Sequence, residues 1–504
     1  MPRRNWGKPS ETTTNQHLQN YVCPPQCPGH ARITDLFGLV TYELAKERRI
    51  TNRAPVPSKS MVNGVQMRGM ISDLLVYLRD GILSGELQKW PILYKEYNNN
   101  QDEFIGLVLG CICDLCFNIE YIRRIQDRGW TYCNKHEGPK AFYPYLGICP
   151  QCILTVDTPS KAAFHSNRRV AVKTEENAES GAQYFGNKIQ SHHVGRIGER
   201  IFAFILDIIA KSTDPNAETG LVIDDQHDID AVVISQGIMT LIQIKSSPLI
   251  LLPAVVLLPQ LLVEGTAEET GLPLPKPSHT FTDIIVAALE IGLYMPLTNT
   301  QIPLGKKTGN DWPYDTFRKQ LNVSTTLSLL NNWFLIFRSF EIPKRNRKGD
   351  DVRRAYLTCG WGAPIDDNKA KPGLARSDNM MKGTYASLKY GAYYSTECMN
   401  RTIRAGLFAN VDPVHQYEDY LAKLEDIRWG HKGDFHELKS EGSDYVAHQI
   451  IDSNKLIYLF DSVFTFNRRI LNDSDTRRIW SLQSFMTNLL SGQLDNVLST
   501  WRQD

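Results

Sequence analysis

Four polar residues between positions 199 and 245 have the types and the spacing that metal-assisted chemistry needs. Glu199 lies in a run whose apolar residues recur at the helical period, and Asp230 opens a β-rich run. Gln243 and Lys245 lie two apart near the end of a second β-rich run, so both point to one face of a strand. Carboxylate and amide oxygens are ligands that Mg²⁺ accepts, and a neighbouring lysine orients water or offsets charge on a phosphate.

One helix and one hairpin must position these side chains. The residues 235–237, Ser-Gln-Gly, predict a turn between the two β-rich runs, and an antiparallel pairing then brings Asp230 to the Gln243 and Lys245 end. Glu199 on the preceding helix can reach the same place. Asp228 is a rival for Asp230, which we prefer because the apolar strand begins directly after it. The alternative is that Lys245 is an edge residue and Asp230 a turn residue.

The order Glu on a helix, Asp on a strand and Gln-x-Lys on the next strand resembles the PD-(D/E)XK nuclease superfamily. It is most similar to restriction endonucleases of the variant in which Gln replaces the usual acid. The resemblance implies that Asp230 is the central Mg²⁺ ligand, Gln243 the second ligand, Lys245 the catalytic lysine and Glu199 the helical acid. The neutral Gln243 is expected to hold the metal less tightly than a carboxylate would.

This resemblance implies a bacterial or archaeal type II restriction endonuclease that hydrolyses double-stranded DNA at a short specific sequence, with Mg²⁺ as cofactor. It further implies a homodimer, in which each active site cuts one strand, and a cognate DNA methyltransferase acting on the same site. Two alternatives stay open. One is a modification-dependent or repair nuclease of the same fold, and the other is a zinc-containing DNA-binding or adaptor protein with an inactive nuclease-like fold.

The cysteines predict a second, structural metal. Eight of the ten cysteines fall in the first 152 residues, mostly as close pairs, and the first residues contain no apolar signal segment. We therefore expect reduced thiolates in a cytoplasmic protein that bind Zn²⁺, with no position left for substrate. Two CxxC pairs supply the predicted ligands, which are Cys113, Cys116, Cys149 and Cys152.

Other cysteine sets compete for that zinc ion. Cys133 with His136 forms a CxxH pair that would replace Cys113 and Cys116 if those two sit in the middle of a helix. Cys23 and Cys27 are further rivals and would supply a second site. Buried free thiols that behave as small apolar side chains are the structural alternative.

The chain of 504 residues has a net charge of only +1, so affinity for DNA must come from local patches. Residues 343–354 hold six basic residues in twelve, and residues 377–394 mix lysines with tyrosines. A solvated loop and a tyrosine-lined core face are the alternatives for these two stretches. The predicted DNA contacts are Lys344, Arg345, Arg347, Lys348, Lys382 and Lys389.

The predicted fold class is a multidomain α/β (α+β) chain with a mixed-sheet core. The predicted parts are a flexible arm 1–20, a helical and zinc-knuckle module 21–160, a nuclease core 185–300, and an α+β region 301–504 for DNA recognition or dimerisation. Residues 249–263 are apolar but shorter than the ~20 residues that a membrane helix needs, so a buried segment is expected. Apolar periodicity predicts helices over 34–49, 65–87, 102–128, 197–209, 323–340, 377–394 and 477–494.

Overall fold

A computed structural model gives the fold. It describes residues 41–43, 48–49, 64–124, 130–133, 140–144, 182–185, 191–222, 229–257, 263–266, 273–275, 286–358, 372–393, 403–414, 417, 421–422, 428–429, 438–441, 444–447, 457–458 and 461–503. The helices are α1 Gly64–Leu83, α2 Pro91–Asn99, α3 Gln101–Arg123, α4 Ser191–Thr213, α5 Tyr314–Gln320, α6 Val323–Glu341, α7 Asp350–Tyr356, α8 Ser377–Tyr393, α9 Ser474–Ile479, α10 Leu482–Leu490 and α11 Leu494–Gln503.

The strands of the first half are β1 Thr41–Glu43, β2 Arg48–Arg49, β3 Trp130–Cys133, β4 Lys140–Pro144, β5 Ala182–Phe185, β6 Glu218–Val222, β7 Ala231–Ser235, β8 Ile238–Lys245, β9 Ala254–Leu257, β10 Val263–Thr266 and β11 Pro273–Pro275. Those of the second half are β12 Glu290–Met295, β13 Thr300–Gly305, β14 Ile403–Ala409, β15 Arg428–Trp429, β16 Leu438–Glu441, β17 Asp444–Ala447, β18 Ile457–Tyr458, β19 Ser462–Thr465 and β20 Arg469–Leu471. The fold is therefore mixed, with helices and strands throughout, and fits the α+β class.

The main sheet has the strand order β2-β1-β6-β7-β8-β14-β19-β20. Strands β6, β7 and β8 form an antiparallel meander, whereas β14 pairs parallel to both β8 and β19. The predicted core interval 185–300 supplies only three of these strands, β6, β7 and β8. The strands that complete the sheet beyond β8 come from the region after residue 400.

A second sheet has the order β13-β12-β9-β4-β3-β5 and is antiparallel throughout. Strand β8 of the main sheet leads into β9 of this second sheet through residues 246–253. We call residues 246–252 the strap. Two strands of the interval predicted as the nuclease core, β9 and β12, thus belong to a different sheet from the hairpin that carries Asp230 and Lys245.

The main sheet is covered on both faces. Ile244 and Phe408 face the large apolar cluster that also contains Phe202 of α4. Leu407 belongs to a smaller cluster on the other face, with residues of α8. Gly383 of α8 lies directly against Leu407, where a larger residue would collide with that side chain. Burial of these apolar side chains on both faces is the main stabilising contribution to this layer.

Helix α3 is the most deeply buried helix of the described chain, with every residue from Phe104 to Ile122 inside the protein. By length and composition it is apolar enough to cross a membrane, but its apolar window is completely buried. Core helices of soluble proteins have the same character. The apolar run that begins at Leu249 is also buried up to Val256, apart from a half-buried Leu251, as expected.

Local periodicity predicted the long helices, missed the short helices α2, α5 and α7, and was wrong in two places. A helix was predicted over 34–49, but residues 41–43 and 48–49 form strands β1 and β2. These two strands pair with each other, and β1 also pairs with β6. The helix predicted over 477–494 is three helices, α9, α10 and α11. Ser481 caps α10, and Gly492 at φ +77° turns the chain before α11. The apolar spacing runs across these breaks, so periodicity alone did not reveal them.

Candidate active site

The hairpin that carries the site has the predicted turn and register. Gln236 and Gly237 adopt φ values of +50° and +79°, as a two-residue type I′ turn requires. Ala231 pairs with Ile242, and the Asp230 N–H donates to the Ile242 carbonyl at 2.9 Å. The start of β7 is thereby fixed beside the end of β8.

Two of the four predicted side chains, those of Gln243 and Lys245, each contact a third, that of Asp230. One carboxylate oxygen of Asp230, Oδ2, accepts hydrogen bonds from the Gln243 Nε2 amide and from the Ile244 N–H, the latter at 2.6 Å. Lys245 Nζ lies 3.7 Å from the same oxygen and donates to the Ile244 carbonyl at 3.1 Å. The Asp230 and Lys245 side chains keep 19% and 21% exposure, so solvent reaches both.

Glu199 lies on the helix that covers the other face of the sheet. The glycine before it allows that helix to come close to the end of β8. In the parallel register Gln243 and Lys245 stand beside Leu407 and Ala409, on the α8 face of the sheet. Glu199 belongs to α4 on the opposite face and is close enough to interact electrostatically with Asp230 and Lys245. A Cβ at Gly198 would lie 2.5 Å from the Ser246 carbonyl oxygen, so only glycine lets α4 pass this close.

Burial has a larger effect than charge on the acidity of Glu199. Burial raises the pKa of Glu199 to about 8, and the neighbouring Asp230 carboxylate contributes to that rise, while Lys245, Arg196 and Arg200 oppose it. Glu199 and Asp230 are thus close enough to repel each other, and the three cations offset part of that repulsion. A divalent cation bound beside these two groups would favour the ionised form of both.

The donor set fits a hard cation that keeps part of its water shell. The described residues contain no group of three or more histidine, cysteine, aspartate or glutamate side chains placed to hold a metal ion. Mg²⁺ here would therefore be held by Glu199, Asp230, the amide oxygen of Gln243 and water, and this ion commonly retains several waters. Rotation of the Gln243 amide would present its oxygen in place of the nitrogen that now faces Asp230.

The predicted zinc ligands divide between described and undescribed residues. Cys113 and Cys116 lie in the middle of α3, 3% and 0% exposed, and Cys149 and Cys152 lie outside the described residues. Burial raises the pKa of both described thiols well above the usual range. This is the helical placement that favours ordinary core residues, so a site built on Cys133 and His136 becomes the preferred prediction. The strand position of Cys133 is described, whereas His136, Cys23 and Cys27 are not.

The six predicted DNA contacts occupy two places. Lys344, Arg345 and Lys348 are exposed in the turn between α6 and α7. Arg347 instead folds back, and its guanidinium donates to the Ile342 and Phe340 carbonyls at 2.8 Å each, at the carboxyl end of α6. On α8, Lys382 is exposed and Lys389 half-buried.

Sequence reasoning missed the polar residues that hold the strap. Asp114 of α3 accepts from the Leu249 and Ile250 N–H groups at 3.1 and 3.0 Å and from Trp333 Nε1 at 2.8 Å. Asn118, one turn later, accepts from the Leu252 N–H at 2.6 Å. An aspartate and an asparagine four apart inside a run of apolar residues were the available signal, because a buried polar group needs partners.

No family model matches this chain, and neither a curated protein nor a solved structure is significantly similar to it. The site geometry and chemistry therefore carry the functional assignment.

Proposed function

We propose that the protein is a Mg²⁺-dependent endonuclease that hydrolyses phosphodiesters of double-stranded DNA, of the type II restriction kind. The observation that carries the proposal is the contact of Asp230 with Gln243 and with Lys245, close enough to Glu199 for Asp230 and Lys245 to interact with it electrostatically. Two carboxylates, an amide and an ammonium group at one partly exposed place suit phosphoryl transfer. Sequence specificity, the homodimer and the cognate methyltransferase rest on the resemblance alone.

Each residue has a separate task in this proposal. Asp230 is the central acid, and the Ile244 N–H at 2.6 Å fixes the orientation of its carboxylate. Lys245, 3.7 Å from that carboxylate, orients the attacking water and offsets charge on the reacting phosphate. Glu199 holds water or cation from the helix side. Bound Mg²⁺ would supply Lewis-acid stabilisation of the phosphate charge.

Substitution at the site tests the proposal. Asp230→Asn and Lys245→Ala should each lower Mg²⁺-dependent cleavage of unmethylated plasmid DNA by at least about 10³-fold, because the first removes a carboxylate that would hold Mg²⁺ and the second removes a positive charge beside the reacting phosphate. Binding of uncut DNA, measured in Ca²⁺ by gel shift, should persist. The measurement is the rate at which supercoiled plasmid is converted to nicked and linear forms.

Lys211→Ala is the matched control, because Lys211 is a half-buried lysine of α4 that contacts Asp207 and the Ala217 carbonyl. It should leave cleavage unchanged. Full cleavage by the Asp230 and Lys245 double variant would refute the assignment. Absence of cutting by the intact protein on both methylated and unmethylated DNA would favour the inactive adaptor instead.

A further inference from the structure

The strap that follows the Lys245 strand is held by side chains and not by a sheet. Its backbone groups bond to Asn410 near its start and to Asp114 and Asn118 further along. All three side chains are buried, at 4%, 2% and 2% exposure. Buried polar side chains cost free energy unless they are fully bonded, so their use here fixes one conformation of the strap.

Asn410 is the clamp closest to the site. The parallel ladder between β8 and β14 ends where Lys245 stands beside Ala409. Asn410 follows the last residue of β14, and its amide continues the ladder: Nδ2 donates to the Ser247 carbonyl at 2.6 Å, and Oδ1 accepts from the Ser247 N–H at 3.3 Å. One side chain thus bonds both backbone groups of the residue two positions after Lys245.

The same clamp is tied to the chain that precedes α8. The Ser247 hydroxyl accepts from the Gly373 N–H at 3.1 Å, and Leu374 N–H donates to the Val411 carbonyl at 3.0 Å. Gly373 has φ +50°, and a Cβ there would lie 2.9 Å from Asn410 Oδ1 and 2.8 Å from the Val411 carbonyl oxygen. Only glycine fits this corner, so the chain before α8, the end of β14 and the strap are locked together.

We propose that Asn410 is a positioning residue for Lys245, acting through Ser247. Without this amide the chain just after β8 is no longer tied to the end of β14, and the strand end is free to fray. Lys245 Nζ then no longer keeps its place 3.7 Å from Asp230. Displacements of about 1 Å cost about 100-fold in rate where a charged group must meet a reacting phosphate. This inference rests on the proposed nuclease function for its catalytic readout.

The test compares Asn410→Ala with Asn118→Ala. Both remove a buried asparagine that bonds the strap, since Asn118 accepts from the Leu252 N–H and donates to the Ile250 carbonyl at 2.9 Å. Asn118 acts on positions 250 and 252, farther along the chain from Lys245. At a temperature where both variants are folded, Asn410→Ala should lower kcat about 10- to 100-fold with KM for DNA within about threefold, whereas Asn118→Ala should keep kcat within about threefold.

Asn410→Asp keeps the acceptor for the Ser247 N–H but sets an oxygen against the Ser247 carbonyl in place of the donor, so it should lower kcat at least as much as Asn410→Ala does. Equal reductions of kcat in Asn410→Ala and Asn118→Ala would mean that the strap only stabilises the fold, and the proposal would be overturned.

Hydrogen exchange separates this proposal from the nuclease assignment. Amides 244–247 should exchange faster in Asn410→Ala than in the parent and in Asn118→Ala, whether or not the protein cuts DNA. If the unmodified protein never cleaves DNA, the proposed nuclease function is wrong, but this exchange comparison still tests the positioning role of Asn410. Unchanged exchange at 244–247 would overturn the positioning role even in an active enzyme.

Discussion

Gly198 and Glu199 are neighbours on α4, and the glycine decides how close the carboxylate comes to the strand end. The Ser246 carbonyl lies 2.5 Å from where a Cβ at position 198 would be, and it belongs to the backbone, which cannot rotate away. A side chain at this position therefore pushes the helix off the sheet. The distance between Glu199 and Asp230 depends on that close approach.

Gly198→Ala should lower the free energy of unfolding by about 1–3 kcal/mol, the usual cost of overpacking, and should lower cleavage as well. Gly195→Ala is the control on the same helix, because its Cβ would meet only Glu199 Oε1 at an ordinary 3.7 Å. That change should leave stability equal or up to about 1 kcal/mol higher, since alanine favours helix. Chemical denaturation of both variants tests the difference, and similar decreases in the two would contradict the close approach.

The turn between α6 and α7 holds basic residues with two different environments. Lys344, Arg345 and Lys348 face solvent, whereas Arg347 satisfies two carbonyls at the end of α6. Helix ends leave such carbonyls without partners inside the helix, so Arg347 acts as a cap. The sequence alone predicted all four residues as DNA contacts and did not distinguish between them.

The triple change Lys344→Ala, Arg345→Ala and Lys348→Ala should weaken DNA binding uniformly across sequences. The slope of log K against log salt should become shallower by up to about 0.9 for each phosphate that the variant no longer neutralises. Thermal stability should hardly change. Arg347→Ala should instead lower stability by about 1 kcal/mol, with a smaller effect on the salt slope. Fluorescence anisotropy over a salt series tests this, and an unchanged slope in the triple variant would exclude the turn from the DNA interface.

Helix α11 packs against helices α1 and α4 and covers part of the core that they share. Trp501 of α11 donates its indole N–H to the buried Asp207 of α4 at 2.7 Å, and Arg68 of α1 donates to the Trp501 carbonyl at 2.6 Å. Arg502 pairs with Asp73 of α1 at 3.1 Å. Helices α1 and α11, from opposite halves of the chain, are thus joined around the helix that carries Glu199.

Trp501→Phe should destabilise the fold by about 1–3 kcal/mol, because it leaves the buried Asp207 carboxylate without this donor. Burial raises the pKa of Asp207 and the indole N–H lowers it, so the bond stabilises mainly the ionised form. The ionised form dominates only above the folded pKa. The decrease in melting temperature should therefore be larger at pH 8.5 than at pH 5.

Trp501→Ala should cost more at both pH values, about 3–5 kcal/mol, because it also leaves a cavity. A destabilisation by Trp501→Phe that does not change with pH would show that the indole acts only through packing.

The meeting of Asp230 with Gln243 and Lys245 could be predicted from the sequence because it depends on local structure. A helical period placed Glu199, and a two-residue turn with strands of fixed alternation determined which side chains meet at Asp230. The existence of the long helices followed from the same short-range periodicity. The ends and breaks of α9 to α11 did not, because the apolar spacing continues across them.

Contacts between distant segments decided the rest. One of the two strands that pair with β8 is formed by residues 403–409, and the strand that follows β8, β9, belongs to another sheet. No pattern near residue 245 encodes either fact. Asn410, Asp114 and Gly198 matter only because of what folding brings against them: the backbone of Ser247, two strap amides and the backbone of Ser246. The sequence specifies the type of each side chain, but the group that it contacts depends on the free energy of packing the whole molecule. In that free energy, burial between distant segments outweighs local conformational preference.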